Sequence, residues 1–251
     1  MFTKAFLEEL GSGKLRREEQ LLRAEFERRG VPIFLYTAKR IQRRQLPLSR
    51  ETFIAGDMDA MHGAMQQLKI EIPNPNDYPK SLSPFMHRRI GTSTLGAIER
   101  EILEGNGEPI FAKPADRRKS FTGRAFLSLD DFREIGSISR RQEVWCSELV
   151  TWLSEYRVYV IGTQIISVDL YVGDSKEMLD YAVLERALAA FRASGEAPMA
   201  YGIDFGVLST GETALVEAND GYALGAYQIF ASGYTDVLLT RWNELVSTIA
   251  V

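Results

Sequence analysis

The chain has 251 residues but only one cysteine, Cys146, and two histidines, His62 and His87. A single thiol excludes an intrachain disulfide framework and a cysteine-built zinc cluster. Two histidines far apart in sequence argue against a histidine-ligated zinc hydrolase and a Ser-His-Asp machine. No apolar run approaches ~18 residues, so no membrane-spanning helix is expected. The opening residues Met1 to Glu9 carry acids where a secretory signal needs an apolar stretch, so a cytoplasmic, reducing setting is expected. The phosphate-binding patterns Gly-x-x-x-x-Gly-Lys-Ser/Thr and Gly-x-Gly-x-x-Gly are missing, and no solenoid repeat is visible. With 45% hydrophobic and 25% charged residues, the chain suits one large or two small globular domains.

Charge is unevenly spread. The net formal charge is −4, yet residues 1–124 carry 22 Lys and Arg against 16 Asp and Glu, and residues 125–251 carry 8 against 18. The split fits solvated faces of opposite sign, or a site where basic groups of one half and acidic groups of the other meet a polyanion with its metal ions.

Patterning divides the chain at the proline-rich stretch Ile72 to Pro79. Before it, the sequence predicts an amphipathic helix over 14–30 ended by Gly30, strands at Val31–Tyr36 and Thr52–Ala55, and a helix capped by Asp57 and running to Leu68. These form a small α/β domain over 1–78. After it, a long helix is expected from Ser83 or Pro84 to about Glu104. Strands follow at 109–113, 124–127, 143–150, 156–161, 164–170, 200–208 and 213–218, with helices over 179–193 and 235–249. The second domain, 79–251, therefore reads as α+β with antiparallel pairs.

Chemistry concentrates in this second domain. Asp204, Glu217 and Asn219 fall on two strands that a tight turn at 209–212 would pair, so the two carboxylates and the amide can share a face. Such a hard-oxygen set suits Mg²⁺ together with substrate phosphates. Lys113 ends an apolar strand and is followed by a basic loop, Arg117-Arg-Lys119-Ser-Phe-Thr122-Gly123-Arg124, which suits a phosphate cover. Taken alone, the segment from Glu148 to Arg157 is unspecific and reads as surface ion pairing.

Together these pieces resemble the ATP-grasp superfamily of carboxylate–amine ligases over roughly residues 84–230. The ordered set is a strand-borne Lys, a glycine-containing basic loop, Glu-x₆-Glu before a strand, and Asp-x₁₂-Glu-x-Asn. Lys113-Pro114 with Lys119-Ser-Phe-Thr-Gly123 resembles the phage and bacterial clade marked by an arginine and paired lysines; Arg88 or Arg89 would be that arginine. The resemblance implies an ATP-grasp fold, two α+β lobes gripping the nucleotide behind the small N-terminal domain. It implies ATP and Mg²⁺ as cofactors. Lys113, Lys119, Thr122 and Gly123 would hold the phosphates. Glu148, Leu149 and Thr151 would meet the adenine and Glu155 the ribose. Asp204, Glu217 and Asn219 would hold the metal, and Arg157, Lys119 and Arg88 would serve the transferring phosphoryl group. The substrates would be a carboxylate and an amine, small-molecule, peptide or protein.

Two other classes stand beside this reading. One is a nucleic-acid-binding protein using the arginine-rich first half, against which the sequence pI of about 5.4 counts. The other is a nucleotide-binding scaffold without turnover, against which the intact acid and lysine set counts. A homodimer is the default oligomer for such a soluble enzyme.

Overall fold

The structure, a computed structural model, describes residues 2–105, 108–116 and 120–248. Three short strands, β1 (Lys4–Glu8), β2 (Ile33–Tyr36) and β3 (Thr52–Ala55), form a parallel sheet in the order β2-β1-β3. Parallel neighbours need crossover connections, and α1 (Arg17–Arg28) and α3 (Met58–Leu68), with the short α2 (Ala38–Gln42) between them, lie in these connections or follow the last strand. Asp57 caps α3 by accepting the amide of Ala60 at 2.9 Å. The central strand, β1, has no counterpart among the expected elements. Its Ala5 and Leu7 are fully buried, but five residues with two acids just beyond them give too short a pattern to read.

The core of this sheet draws on both sides of the expected division at residue 78. Helix α7 (Ala231–Ser247) returns from the far end of the chain, and its Tyr234, Leu238 and Trp242 pack with Leu22, Phe26 and Phe53. Trp242 Nε1 donates to the Thr52 carbonyl at 2.9 Å, which satisfies the one polar atom of a 1% exposed ring.

The long helix expected from Ser83 or Pro84 to Glu104 is not formed. A 3₁₀ turn at Lys80–Phe85 gives way to strand β4 (Ile90–Thr94), and only then to α4 (Leu95–Leu103). Thr92-Ser-Thr94 is a run of poor helix formers, and β7 (Glu143–Glu148) offers it a ladder from Ile90 against Ser147 to Thr94 against Glu143. Thr94 then caps α4, accepting the amide of Ala97 at 3.2 Å. With β5 (Ile110–Pro114) and β6 (Arg124–Phe126) these strands make an antiparallel sheet, order β4-β7-β5-β6. Helix α5 (Leu129–Glu134), opened by a Ser128–Asp131 capping box, packs beneath it through Phe132.

The second antiparallel sheet, order β11-β10-β8-β9, is longer and deeper. It comprises β8 (Trp152–Ile161), β9 (Gln164–Gly173), β10 (Ala200–Leu208) and β11 (Thr213–Asp220). Every residue of β10 is buried. Its Tyr201, Ile203 and Phe205 share a core with Leu184, Leu188 and Phe191 of α6 (Tyr181–Ala193). The α+β organisation read from the sequence is thus present, with two antiparallel sheets behind a small parallel one. Among the described residues no helix is long and apolar enough to cross a membrane.

Candidate active site

A single register row crosses the longer sheet: Glu217 on β11, Asp204 on β10, Arg157 on β8 and Asp169 on β9. Directly opposed residues of antiparallel strands project from the same face, so four charged side chains stand side by side. Arg157 donates from Nε and Nη2 to the two oxygens of Asp204 at 2.8 and 2.7 Å, a forked ion pair in which both partners are under 10% exposed. Gly202 makes room for it, since a Cβ there would lie 2.8 Å from Leu224 and 3.5 Å from Arg157 Cδ. Even with this partner, burial pushes the Asp204 carboxyl up to about 6. Asn219 donates to Glu217 at 3.2 Å and to Asp204 at 3.4 Å.

Asp169 closes the row and fixes the loop beyond β11, accepting the amides of Gln228 at 2.7 Å and Ile229 at 2.6 Å. That places Tyr227 flat on Tyr171, ring centroids 4.7 Å apart, with the Arg157 guanidinium 5.2 Å from the Tyr227 ring.

The other antiparallel sheet meets this row through one lysine. Lys113 of β5 brings Nζ to 2.5 Å from Glu217 and 2.7 Å from Asp77, above the Tyr78 ring. Burial opposes charge on both groups. The pairing prevails, holding Glu217 below the ordinary carboxyl range and Lys113 above the ordinary amine range. A cavity of about 580 Å³ lies between the sheets, and Lys113, Thr122, Gly123, Glu155, Glu217 and Asn219 line it. Gly123 packs so tightly that a Cβ would sit 2.8 Å from Phe111 and 2.9 Å from Lys113. Glu155 accepts the Tyr171 hydroxyl at 2.8 Å, and burial raises its carboxyl.

Other expected site residues lie outside this lining. Arg88 is half-buried beside the cleft, where it donates to the carbonyls of Met86, Leu215 and Val216 and stacks on Trp152. That geometry positions the strand leading into Glu217. Arg89 is exposed and pairs with Glu148, itself exposed. Leu149 and Thr151 follow on an open segment. Lys119 falls outside the described residues.

Asp77, Tyr78 and Tyr171 are cleft residues that the sequence did not disclose. Asp77 and Tyr78 sit in the proline-rich stretch read as a linker, and the Asp77 carbonyl accepts the Ala218 amide at 2.8 Å, so the linker runs along β11. No local signal tells which loop crosses a cleft. His62 Nε2 lies 2.9 Å from the Tyr222 hydroxyl, and Cys146 is half-buried on β7.

Among the described residues no group of three or more His, Cys, Asp and Glu is arranged to hold a metal ion. The hard donors present are the Asp204 and Glu217 carboxylates and, with its amide turned, the Asn219 oxygen. Two carboxylates and an amide fit magnesium bound jointly with substrate phosphates better than an all-protein cage. The raised Asp204 carboxyl is consistent with a row short of positive charge.

A family model described as an ATP-grasp domain, family 2 of the clade named for one arginine and two lysines, matches residues 85–237. No curated protein matches the sequence. Among solved structures, D-alanine–D-alanine ligase from Bacillus anthracis complexed with ATP is similar at 12% identity over 99% of this chain and 100% of that chain, with a TM-score of 0.60. The ATP-grasp ligase PsnB complexed with precursor peptide PsnA2 and AMPPNP is similar at 12% identity over 96% and 97%, TM-score 0.53. The macrocyclase MdnC bound with precursor peptide MdnA, from Microcystis aeruginosa MRC, is similar at 11% over 94% and 99%, TM-score 0.51. At these identities the likeness is one of fold.

Proposed function

Because the chain belongs to the ATP-grasp domain family, in the clade named for one arginine and two lysines, we propose that it is an ATP- and magnesium-dependent ligase that joins a carboxylate to an amine. The observation that carries this reading is the meeting of Lys113 with Glu217 across two sheets, beside Asp204 and Asn219, around one cavity. A nucleotide triphosphate tail needs cations on one side and a metal-binding oxygen set on the other, and this cleft offers both.

In the proposed reaction the γ-phosphoryl group of ATP passes to the substrate carboxylate. A P–O bond forms to a carboxylate oxygen as the bond to ADP breaks, giving an acyl phosphate. The amine nitrogen then attacks the carbonyl carbon, phosphate leaves with the C–O bonding pair, and the nitrogen loses its proton. Magnesium held by Asp204, Glu217 and Asn219 would supply charge neutralisation at the phosphate oxygens. Lys113 would trade Asp77 and Glu217 for phosphate oxygens. Lys119, Thr122 and Gly123 are assigned to cover the phosphates and keep water out, since acyl phosphates hydrolyse. Glu155 would accept from the ribose hydroxyls, and Glu148, Leu149 and Thr151 would edge the adenine. Arg157 would orient Asp204 and face the transferring group, while Arg88 would act through the backbone it holds. No protein nucleophile is needed, in keeping with the scarcity of His and Cys. Peptide and protein substrates belong to this reading alongside amino acids, because PsnB and MdnC of the same fold are complexed with precursor peptides. A cytoplasmic setting and a homodimer complete the proposal.

The test is ADP release in Mg²⁺ over a panel of amino acids and short peptides, with mass spectrometry of the product. Glu217→Gln keeps the shape and removes a metal oxygen's charge, so turnover should fall about 10³-fold, the scale of losing one electrostatic contact in a transition state. Wild-type turnover in that variant at saturating Mg²⁺ would show the metal assignment to be wrong.

A further inference from the structure

A second cavity, about 1080 Å³, opens where the parallel sheet, the first turns of α1 and α3, and the loop 222–225 meet. It adjoins the cleft, for Met58 and Ala223 line both. Gly225 marks how closely: a Cβ there would lie 3.7 Å from Arg157 Nη1 and 3.8 Å from Glu18 Oε1.

Its charged lining is one cation, Arg16, and four acids, Glu18, Glu19, Asp57 and Asp59. Most of these have work already. Arg16 donates to Glu8 at 3.0 Å and to Asp57 at 3.3 Å. Asp57 caps α3, and Glu18 accepts the Ala226 amide at 2.9 Å. Glu19 differs. It is 2% exposed, its Oε1 lies 3.6 Å from Arg16, and its Oε2 is buried with no hydrogen-bond partner. A buried carboxylate oxygen left without a donor is costly. An inorganic divalent cation does not answer that cost, because it needs about six oxygens and the surrounding walls include Leu22, Leu224 and Leu238. An organic ammonium does, with N–H donors for the oxygen and hydrocarbon for the leucines.

We propose that this second cavity is the binding site for the amine substrate, an alkylammonium whose cation rests on Glu19 Oε2 and whose carbon chain lies along Leu22, Leu224 and Leu238. The inference rests on the ligase reading and assigns the amine, rather than the carboxylate, to the N-terminal side of the cleft. Excess negative charge in a desolvated pocket disfavours a carboxylate there by like-charge repulsion.

The test uses the full chain with methyl-detected NMR and calorimetry. The probes are n-hexylammonium, n-hexanol and n-hexanoate at pH 8, and separately Mg·ADP. Hexylammonium should bind at least about tenfold tighter than hexanol, shift the Leu224 and Leu238 methyls, and outcompete hexanoate. Glu19→Gln should bring hexylammonium down to the level of hexanol. Equal binding of hexylammonium and hexanol by the wild-type chain overturns the inference without recourse to any variant. So does undiminished selectivity in Glu19→Gln. The Mg·ADP titration separates the two layers: nucleotide binding without amine selectivity sinks the amine site alone, and amine selectivity without nucleotide binding sinks the ligase reading.

Discussion

Asp204 and Glu19 are equally buried, each 2% exposed, and burial raises both carboxyls, to about 6 and about 7. Their surroundings differ. Asp204 sits in a row of alternating strands with a forked guanidinium at 2.7–2.8 Å. Glu19 has a 3.6 Å approach to an arginine whose shorter bonds go elsewhere. One acid is locked into the fold by a partner of its own, and the other keeps an open oxygen toward a cavity. Burial alone therefore does not say what an acid is for; the pairing does.

That contrast breaks most sharply by truncating the paired acid. Asp204→Ala leaves the Arg157 guanidinium buried without its counter-charge, a change that costs about 3–5 kcal/mol. Urea unfolding should show a lower midpoint at unchanged slope. A loss under about 1 kcal/mol, the size of a surface pair, would place Asp204 in the same class as Glu19.

The unpaired acid should behave in the opposite sense, and its effect depends on pH. An acid raised from 4.5 to about 7 holds its proton in the folded chain where the unfolded chain has lost it. Stability then falls as pH rises through that window. Charges facing Glu19 are Arg16, which opposes the rise, and Glu18 and Glu8, which add to it. Glu19→Gln removes the titration. The variant should match wild type near pH 4 and exceed it at pH 8 by up to about 3 kcal/mol. Parallel stability–pH curves for the two proteins would mean that Glu19 is compensated in the folded state.

The sequence discloses the paired site far better than the open one, and the reason is local geometry. Asp204, Glu217 and Asn219 occupy a hairpin, where a period of two and a short turn decide which side chains share a face. Arg157 is 47 positions from Asp204, and only the β8–β10 register joins them. The helix expected over 84–104 fails for the same reason: β7, some 50 residues later, claims Ile90–Thr94 as a strand. Asp77 reads as linker because nothing nearby shows that the segment lies against β11. Glu19 reads as one more charge on an amphipathic helix, since its burial depends on α7 and the loop at 222–225 arriving from the other end of the chain.

A smaller effect probes how the closely packed roof answers the floor. A Cβ at Gly123 would press on Phe111 and on Lys113 Cβ at under 3 Å. Gly123→Ala should cost about 1–2 kcal/mol through overpacking, and it should weaken Mg·ADP binding because the displaced group is the lysine that reaches Glu217. Loss of stability with undiminished nucleotide affinity would uncouple Lys113 from the phosphates.

The least effect belongs to the neighbour of the open acid. Glu18 accepts the Ala226 amide through Oε1, and a glutamine carbonyl can accept the same bond. Glu18→Gln therefore removes a charge from the first turn of α1 without stranding a donor. Acids near a helix N-terminus contribute about 0.3–1 kcal/mol, so the urea midpoint should drop by no more than that and should do so evenly from pH 6 to pH 8. Glu18→Ala sets the upper bound, since it also strands the Ala226 amide and frees the loop that passes Arg157. If Glu18→Gln instead reproduced the gain at high pH expected of Glu19→Gln, the uncompensated charge in the cavity would belong to both acids, and the distinction between a paired acid and an open one would move one residue along α1.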